Sequence, residues 1–358
     1  MKVVVYAISK NEEKFVERWV NSMGEADEIY VLDTGSIDKT VELLREKGVN
    51  VVSKEIVPWR FDVARNESLG LVPIDADICI CTDLDEIFVP GWRKKIENVW
   101  NNGVNRLRYV FNWSLDDNNK PKISFYGEKI HSRLDYVWTH PVHEVLTYNG
   151  KDEKIVLTNE VILNHYPDSS KSRSSYLPLL ELSVVEDPDD DRNMHYLGRE
   201  YMYYSRWNEC IDTLIKHLNL PTATWRDERC ASMRFIARSY TNLGRFDEAR
   251  IWLNKAIEEA PYLRDPYVEM ALLEYKLENY LKVINYCILA LKIRKNKMSY
   301  INETFCWDYT IDDLLSISYF NIGLYDESLF YIDRALKYDS NNDRLIKNRA
   351  IIYEKSKE

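Results

Sequence analysis

Residues 2–81 alternate between short apolar runs and amphipathic runs, and this alternation constrains the fold more than any other feature. The amphipathic runs have helical spacing, as where Phe15, Trp19 and Met23 follow one another four positions apart. Strands separated by helices in this way predict a parallel sheet with helices on its faces. We expect its strands in four runs, Lys2 to Ser9, Glu28 to Leu32, Val49 to Val52 and Ala76 to Cys81.

The last of these runs leads into two carboxylates, Asp83 and Asp85. They are two positions apart, so on an extended strand end both side chains would point the same way. Carboxylates this close repel each other unless a cation joins them, and hard oxygen ligands suit Mg²⁺ or Mn²⁺. Because ligands of open α/β sheets bind beyond the carboxyl ends of the strands, we expect a divalent metal that holds a phosphorylated substrate. The alternative is a solvated acidic loop, the commoner meaning of an isolated Asp-x-Asp.

The turns that follow the first and second expected strands also carry polar residues. Asn11 is the expected N-cap of the first helix, with Glu12 and Glu13 in its first turn. The stretch from Asp33 to Ser36 is similar to an aspartic-protease signature, but such enzymes need two carboxylates that share a proton, and no second copy is present. We interpret it as a strand-to-helix turn in which Asp33 can accept hydrogen bonds from a base or ribose.

Length, charge and cysteine usage bound the class of protein. A chain of 358 residues suggests two domains, and a net charge of −10 argues against a general nucleic-acid binder. No apolar stretch has the length of a transmembrane helix, and we expect no signal peptide because the chain starts directly with a strand. The six scattered cysteines fit reduced thiols, which predicts a cytoplasmic protein.

The middle of the chain changes from alternating to strand-like sequence between Arg106 and His165. Three histidines, His131, His140 and His143, fall in one segment of it. A polar loop at 168–175 and a helix from about Tyr176 follow, and then the acidic, proline-containing residues 186–191. We interpret that acidic run as a domain boundary and predict domains at 1–187 and 188–358.

The second predicted domain is helical and repetitive. A small residue is followed nine positions later by an aromatic residue, and ten positions after that by a third position that is mostly alanine. The spacing brackets the tetratricopeptide period, and Tyr240 to Pro261 resembles a nearly complete repeat of that kind, although a generic helical bundle is the alternative. Asp343 to Lys355 is the expected final capping helix. The three positions are Gly198, Trp207 and His217; Ala237, Phe246 and Ala256; Ala271, Tyr280 and Ala290; Ser316, Tyr325 and Ala335.

The first domain contains four motifs, at Ile8 to Glu13, Val31 to Thr40, Phe61 to Asn66 and Asp83 to Glu86. They occur in the order seen in family 2 glycosyltransferases of the GT-A fold, and the domain resembles that family. The segments around His143 and His165 are similar to lipopolysaccharide-core glucosyltransferases, and the coupling to tetratricopeptide repeats is similar to bacteriocin S-glycosyltransferases. The expected fold class is therefore an α/β GT-A domain, Rossmann-like, followed by an all-α repeat domain.

The resemblance implies a metal-dependent inverting transfer of a sugar from a nucleotide sugar, usually a UDP-sugar, to an acceptor. It places Ser9, Asp33 and Arg65 at the nucleotide, Asp83 at ribose or metal, and Asp85 at an Mn²⁺ or Mg²⁺ ion. His165 matches a position that supplies a further metal or diphosphate ligand in some relatives; a structural histidine is the alternative. Glu144 is the expected base and His143 the second candidate, because relatives often carry an acidic pair where this chain has His-Glu.

Two other functions stay open. A nucleotidyltransferase would share the sheet and the metal, but it usually carries a glycine-rich loop after the first strand, where this chain has none. A non-catalytic adaptor with a degenerate transferase domain is the other. The repeats are expected to select a peptide, protein or saccharide acceptor, or to pair two subunits, because stacked helix pairs offer a concave surface.

Overall fold

The structure, a computed structural model, describes residues 1–101, 103–168, 174–297 and 299–357. It divides into one unit of Met1–Ser183 with Met298–Tyr300, and a second of Val184–Lys297 with Ile301–Glu358. The division follows Ser183, whereas the predicted boundary follows Asp187. Most of the loop predicted at 168–175 lies outside the described residues.

The first unit is an α/β domain that contains an eight-stranded mixed sheet and a separate two-stranded sheet. Its strands are β1 (Val3–Ser9), β2 (Glu28–Asp33), β3 (Asn50–Ser53), β4 (Ile78–Cys81), β5 (Glu86–Phe88), β6 (Arg106–Leu115), β7 (Pro121–His131), β8 (Tyr136–Thr139), β9 (Val145–Tyr148) and β10 (Ile155–His165). Its helices are α1 (Glu13–Met23), α2 (Thr40–Glu46), α3 (Phe61–Gly70), α4 (Trp92–Val99) and α5 (Tyr176–Glu186), the last of which crosses the division.

The large sheet has the order β3-β2-β1-β4-β7-β6-β10-β5, and β8 pairs with β9. The pairs β1–β2, β2–β3 and β1–β4 are parallel, which confirms the prediction for the first four strands. Beyond them the sheet is mixed, because β7 runs antiparallel to β4, β10 runs parallel to β6, and β5 runs antiparallel to β10. The strands that follow β4 in the chain therefore extend the parallel half into a mixed sheet.

Strand β1 is buried on both faces, as expected for a central strand. Val3 and Val5 belong to one apolar cluster, and Val4 and Tyr6 belong to another. This double burial fixes the position of β1, so that its carboxyl end lies between those of β2 and β4.

Two local expectations are wrong. Asn11 does not cap α1: the capping position is Glu12, without a side-chain hydrogen bond, and the Asn11 side chain instead accepts a hydrogen bond from the Ile37 backbone at 2.8 Å. Asp83 and Asp85 do not lie on an extended strand end. They lie in a tight turn between β4 and β5, closed by the Glu86 N–H donating to the Asp83 carbonyl at 3.0 Å.

The second unit consists of paired helices, and their positions agree with the predicted tetratricopeptide pattern. The predicted aromatic positions begin the second helix of each pair, and the predicted capping helix has the bounds expected for it. The helices are α6 (Asp191–Tyr203), α7 (Trp207–Asn219), α8 (Arg226–Asn242), α9 (Phe246–Glu259), α10 (Asp265–Lys276), α11 (Tyr280–Lys292), α12 (Thr310–Asn321), α13 (Tyr325–Tyr338) and α14 (Asp343–Lys355), with a 3₁₀ turn at Thr304–Cys306.

Close helix approach explains the small residue of the first pair. A Cβ atom placed on Gly198 of α6 would lie 2.3 Å from the Leu214 side chain of α7, well inside contact distance. Glycine is therefore required by space at this position, since its backbone is ordinary α-helix.

Two further expectations concern the whole chain. The six cysteines are all buried and form free thiols. No helix within the described residues is both long enough and apolar enough to cross a membrane.

Candidate active site

The carboxyl ends of β1 and β2 bring Ser9 and Asp33 together. Ser9 pairs with Asp33 in the parallel register, and the Ser9 hydroxyl donates to the Asp33 carboxylate at 3.1 Å. The same carboxylate accepts the backbone N–H groups of Gly35 and Ser36 at 3.2 and 3.0 Å. Both side chains are almost fully buried. Asp33 thus holds its own turn in this structure, and its contact with a nucleoside stays a prediction.

The turn after β4 places Asp83 between two cations. Arg65 of α3 donates through Nη2 to Asp83 Oδ1 at 2.6 Å, and Lys129 of β7 lies 3.2 Å from Asp83 Oδ2. Lys129 also lies 3.1 Å from the buried Glu86 carboxylate, which in turn accepts the Asp83 backbone N–H at 2.9 Å. One arginine and one lysine therefore pair with the first carboxylate of the Asp-x-Asp pair.

Arg65 also holds Glu144, the expected base. The Arg65 side chain is 4% exposed, and its Nε lies 2.9 Å from Glu144 Oε1. Glu144 follows the turn between β8 and β9, and α3 holds that hairpin. Asn66 makes a pair of 2.8 Å hydrogen bonds with the Trp138 backbone, and the Phe61 N–H donates to the Pro141 carbonyl. The motif from Phe61 to Asn66 therefore positions the hairpin as well as Asp83.

Asp85, the second carboxylate of the pair, meets His165 at the end of β10. Antiparallel pairing puts His165 opposite Glu86, and His165 Nε2 lies 3.3 Å from Asp85 Oδ2. His165 Nδ1 lies 2.9 Å from the Trp113 carbonyl, and the two rings stack with centroids 4.4 Å apart. A carbonyl can only accept, so Nδ1 carries a proton and Nε2 faces the carboxylate.

Comparison with known proteins bears on this arrangement. Residues 4–147 match the model of glycosyl transferase family 2, and residues 235–262 match a tetratricopeptide repeat model. The first domain is a family 2 glycosyltransferase domain. It has the GT-A fold, and the second unit is a tetratricopeptide-type helical domain. A domain of this family supports glycosyl transfer as the general activity.

Solved structures similar to the chain include proteins with tetratricopeptide repeats. The Cut9–Hcn1 hetero-tetramer of the APC/C is 16% identical with a TM-score of 0.42, over 51% of this chain and 33% of that one. MamA is 18% identical with a TM-score of 0.38, over 48% of this chain and 85% of its own. YrrB, described as a TPR protein with an unusual peptide-binding site, is 15% identical with a TM-score of 0.40, over 50% of this chain and 84% of its own. The chain thus spans a third of the matched Cut9–Hcn1 chain. No curated protein matches it.

The electrostatics of the glycosyltransferase domain separate the two aspartates. Burial would raise the pKa of Asp83, but Arg65 and Lys129 hold it well below its usual range. Burial, together with the nearby Asp83 charge, raises the pKa of Glu86 despite the opposing effect of Lys129. Burial lowers the pKa of His165, but the Asp85 carboxylate and the Trp113 carbonyl raise this pKa by more, so its net shift is upward. Asp83 is neutralised by fixed cations, whereas Asp85 faces a group that titrates.

His143, the second candidate base, adopts a left-handed backbone conformation with φ of 52°. Its ring stacks against Tyr176 with centroids 5.7 Å apart. Glu144 lies beside Arg65, which also contacts Asp83 in the candidate site, whereas His143 contacts the Tyr176 ring. Which of the two receives a proton stays a prediction.

Four residues that contact the candidate site residues or hold them in place were missed by sequence reasoning: Lys129, Glu86, Trp113 and Asn66. Lys129 and Trp113 lie on β7 and β6, far along the chain from the groups that they contact, and no local pattern marks them. Glu86 and Asn66 lie inside motifs already singled out, so their position next to Asp85 and Arg65 was a usable signal.

Proposed function

We propose that the first domain transfers a sugar with inversion from a nucleotide sugar, with UDP as the nucleotide, to an acceptor nucleophile, in a reaction that needs Mn²⁺ or Mg²⁺. The observation that carries the proposal is the contact between His165 Nε2 and Asp85 Oδ2 at 3.3 Å. With Nδ1–H donated to the Trp113 carbonyl, a neutral ring turns the Nε2 lone pair towards a carboxylate. That arrangement is repulsive unless a proton or a cation lies between the two atoms.

The donor set fits a divalent cation. Asp85 and His165 would hold it, and the cation would neutralise the negative charge that develops on the leaving diphosphate. Asp83 is already paired with Arg65 and Lys129, so we assign it to nucleotide binding and positioning. Arg65 then acts as the link between the nucleotide side of the site and the base, because it contacts Asp83 and Glu144 together.

Glu144 is the proposed base. Its Oε1 is engaged by Arg65, so we assign Oε2 as the atom that takes the acceptor proton. The hairpin that carries Glu144 is tied to α3 by the Asn66 and Phe61 hydrogen bonds. These bonds keep the carboxylate in place, which is the condition for base catalysis by a positioned group.

Calorimetric titration with UDP, in the presence of Mn²⁺ and after addition of a chelator, tests the metal-dependent transferase. Asp85→Asn should weaken metal-dependent UDP binding by at least about tenfold, because it removes one of two proposed ligands. Asp117→Asn, the same change at an exposed turn of this domain, is the matched control and should bind like the wild type. Equal UDP affinity with and without chelator would refute the metal requirement. Absence of UDP binding and of donor hydrolysis under both conditions would instead favour the adaptor.

We further propose that the repeat domain selects the acceptor, a peptide or protein. The residues that we assign to nucleotide and metal binding all lie in the first unit, and stacked helix pairs suit extended partners. A chain shortened to residues 1–187, once circular dichroism shows it folded, should still bind UDP with metal and hydrolyse the donor slowly, while transfer to the acceptor collapses. A folded fragment that transfers sugar as well as the full chain would contradict this role.

A further inference from the structure

Three ligand-type side chains meet in the first helices of the repeat domain, in a place that the transferase reaction does not use. Asp191 is the first residue of α6, His217 lies in the last turn of α7, and Glu228 lies in the first turn of α8. Each offers one nitrogen or oxygen atom, and the three atoms lie within 4.8 Å of one another. His217 and Glu228 are buried, whereas Asp191 is partly exposed.

The His217 ring supplies the second observation. It is 0% exposed, and its Nε2 atom has no hydrogen-bond partner within the described part of the chain. Glu228 Oε1 lies 3.5 Å away, which is longer than an N–H···O hydrogen bond of normal geometry. Two ligands of a tetrahedral Zn²⁺ ion, with bonds of about 2.0–2.1 Å, are separated by about 3.3 Å. The contact therefore has the length expected of two ligands of one metal ion.

Ser232 of α8 determines how His217 is presented. Its hydroxyl oxygen lies 2.7 Å from His195 Nδ1 and 3.0 Å from His217 Nδ1. The hydroxyl has one proton to donate, so one of the two rings must donate its own Nδ1–H to the serine oxygen. When His217 donates, its Nε2 lone pair faces the two carboxylates, which is the tautomer that a metal ligand needs.

We propose that Asp191, His217 and Glu228 form a Zn²⁺ site in the repeat domain, with water as the fourth ligand. Two carboxylates with one imidazole are ordinary zinc ligands. The partly exposed Asp191 gives the ion an entry path. Since the ligands come from three helices, the ion clamps the first helix pair to the first helix of the second pair. Its role is structural and is separate from the donor site.

Zinc titration of the full chain tests this site. All measurements use an Asp85→Asn background, which removes a ligand of the metal proposed in the first domain. This chain, freed of metal by a chelator, should bind one Zn²⁺ in calorimetry, and the ion should raise the melting temperature of the repeat domain. Co²⁺ in its place should give the intense visible absorption of a tetrahedral site. Fewer than one Zn²⁺ bound per two folded chains would overturn the proposal.

Two further variants in that background separate ligation from folding. Asp191→Asn should weaken Zn²⁺ binding by at least about tenfold, and Ser232→Ala, which keeps all three ligands, should weaken it about 10–100-fold. Asp189→Asn, an exposed neighbour of the site, is the matched control and should leave binding unchanged. Circular dichroism identifies the variants that fold. If Asp191→Asn does not fold, the Zn²⁺ affinity of Ser232→Ala tests the site. Unaltered Zn²⁺ affinity in the folded variants would place the ion elsewhere and overturn the site.

Discussion

Replacement of Arg65 by methionine tests whether the buried guanidinium holds the candidate site together. Methionine keeps much of the apolar stem and removes the charge. In the native chain the side chain is 4% exposed, with ion pairs of 2.6 Å to Asp83 and 2.9 Å to Glu144. Nη1 also donates to the Cys81 sulfur at 3.4 Å. Loss of the charge would leave two carboxylates without their shared partner.

The expected cost follows from how far each partner is buried. Removal of one member of a buried ion pair costs about 3–5 kcal/mol. The Glu144 side chain is 13% exposed, so its pair counts in full, but the Asp83 side chain is 36% exposed and keeps Lys129. The second pair therefore adds little, and the free energy of unfolding should fall by about 3 kcal/mol. For a domain of this size, that lowers the melting temperature by about 6–12 °C.

Scanning calorimetry of the full chain measures this change as a shift of the first-domain transition. Arg45→Met, at an exposed arginine of α2, is the matched control and should shift that transition by less than about 2 °C. Arg65→Lys keeps the charge but lacks the planar fork that presents Nε to Glu144 and Nη2 to Asp83, so it should fall between the wild type and Arg65→Met. A shift below about 2 °C for Arg65→Met would refute the view that this cluster holds the site together.

Two further predictions concern the proton-transfer groups. Glu144→Gln should lower kcat by about 10²–10⁴ with little change in donor affinity, because it removes a general base; steady-state kinetics would reverse the assignment if His143→Ala shows this loss and Glu144→Gln does not. Folding raises the pKa of His165 above its ordinary value near 6.5. The pair of His165 with Asp85 therefore stabilises the metal-free domain fully below pH 6.5, and this stabilisation is lost as the pH rises through the raised pKa. The melting-temperature difference between wild type and Asp85→Asn in chelator should therefore shrink from about pH 6 to pH 9, and a difference that grows with pH would contradict the pairing.

The elements that sequence reasoning placed well are those with local signals. The start of α9 at Phe246 and the bounds of α14 follow from helical spacing and turn residues nearby in the chain. The contact between Asp83 and Lys129 was not predictable in this way, because the two residues lie 46 positions apart in the chain. The pairing of His165 with Glu86 likewise depends on three strands inserted between β4 and β5 in the sheet. The donor, the acceptor, a cytoplasmic location and pairing of subunits stay predictions.

The close approach of α6 and α7 at Gly198 also restricts how this sequence can change over time. A methyl group at this position would lie 2.3 Å from the Leu214 side chain, so alanine at 198 is compatible with the helix pair only if residue 214 becomes smaller. The two positions are therefore coupled, and neither can drift alone without loss of packing. Among homologous chains, we expect glycine at 198 to accompany leucine at 214, and larger residues at 198 to accompany alanine or valine there.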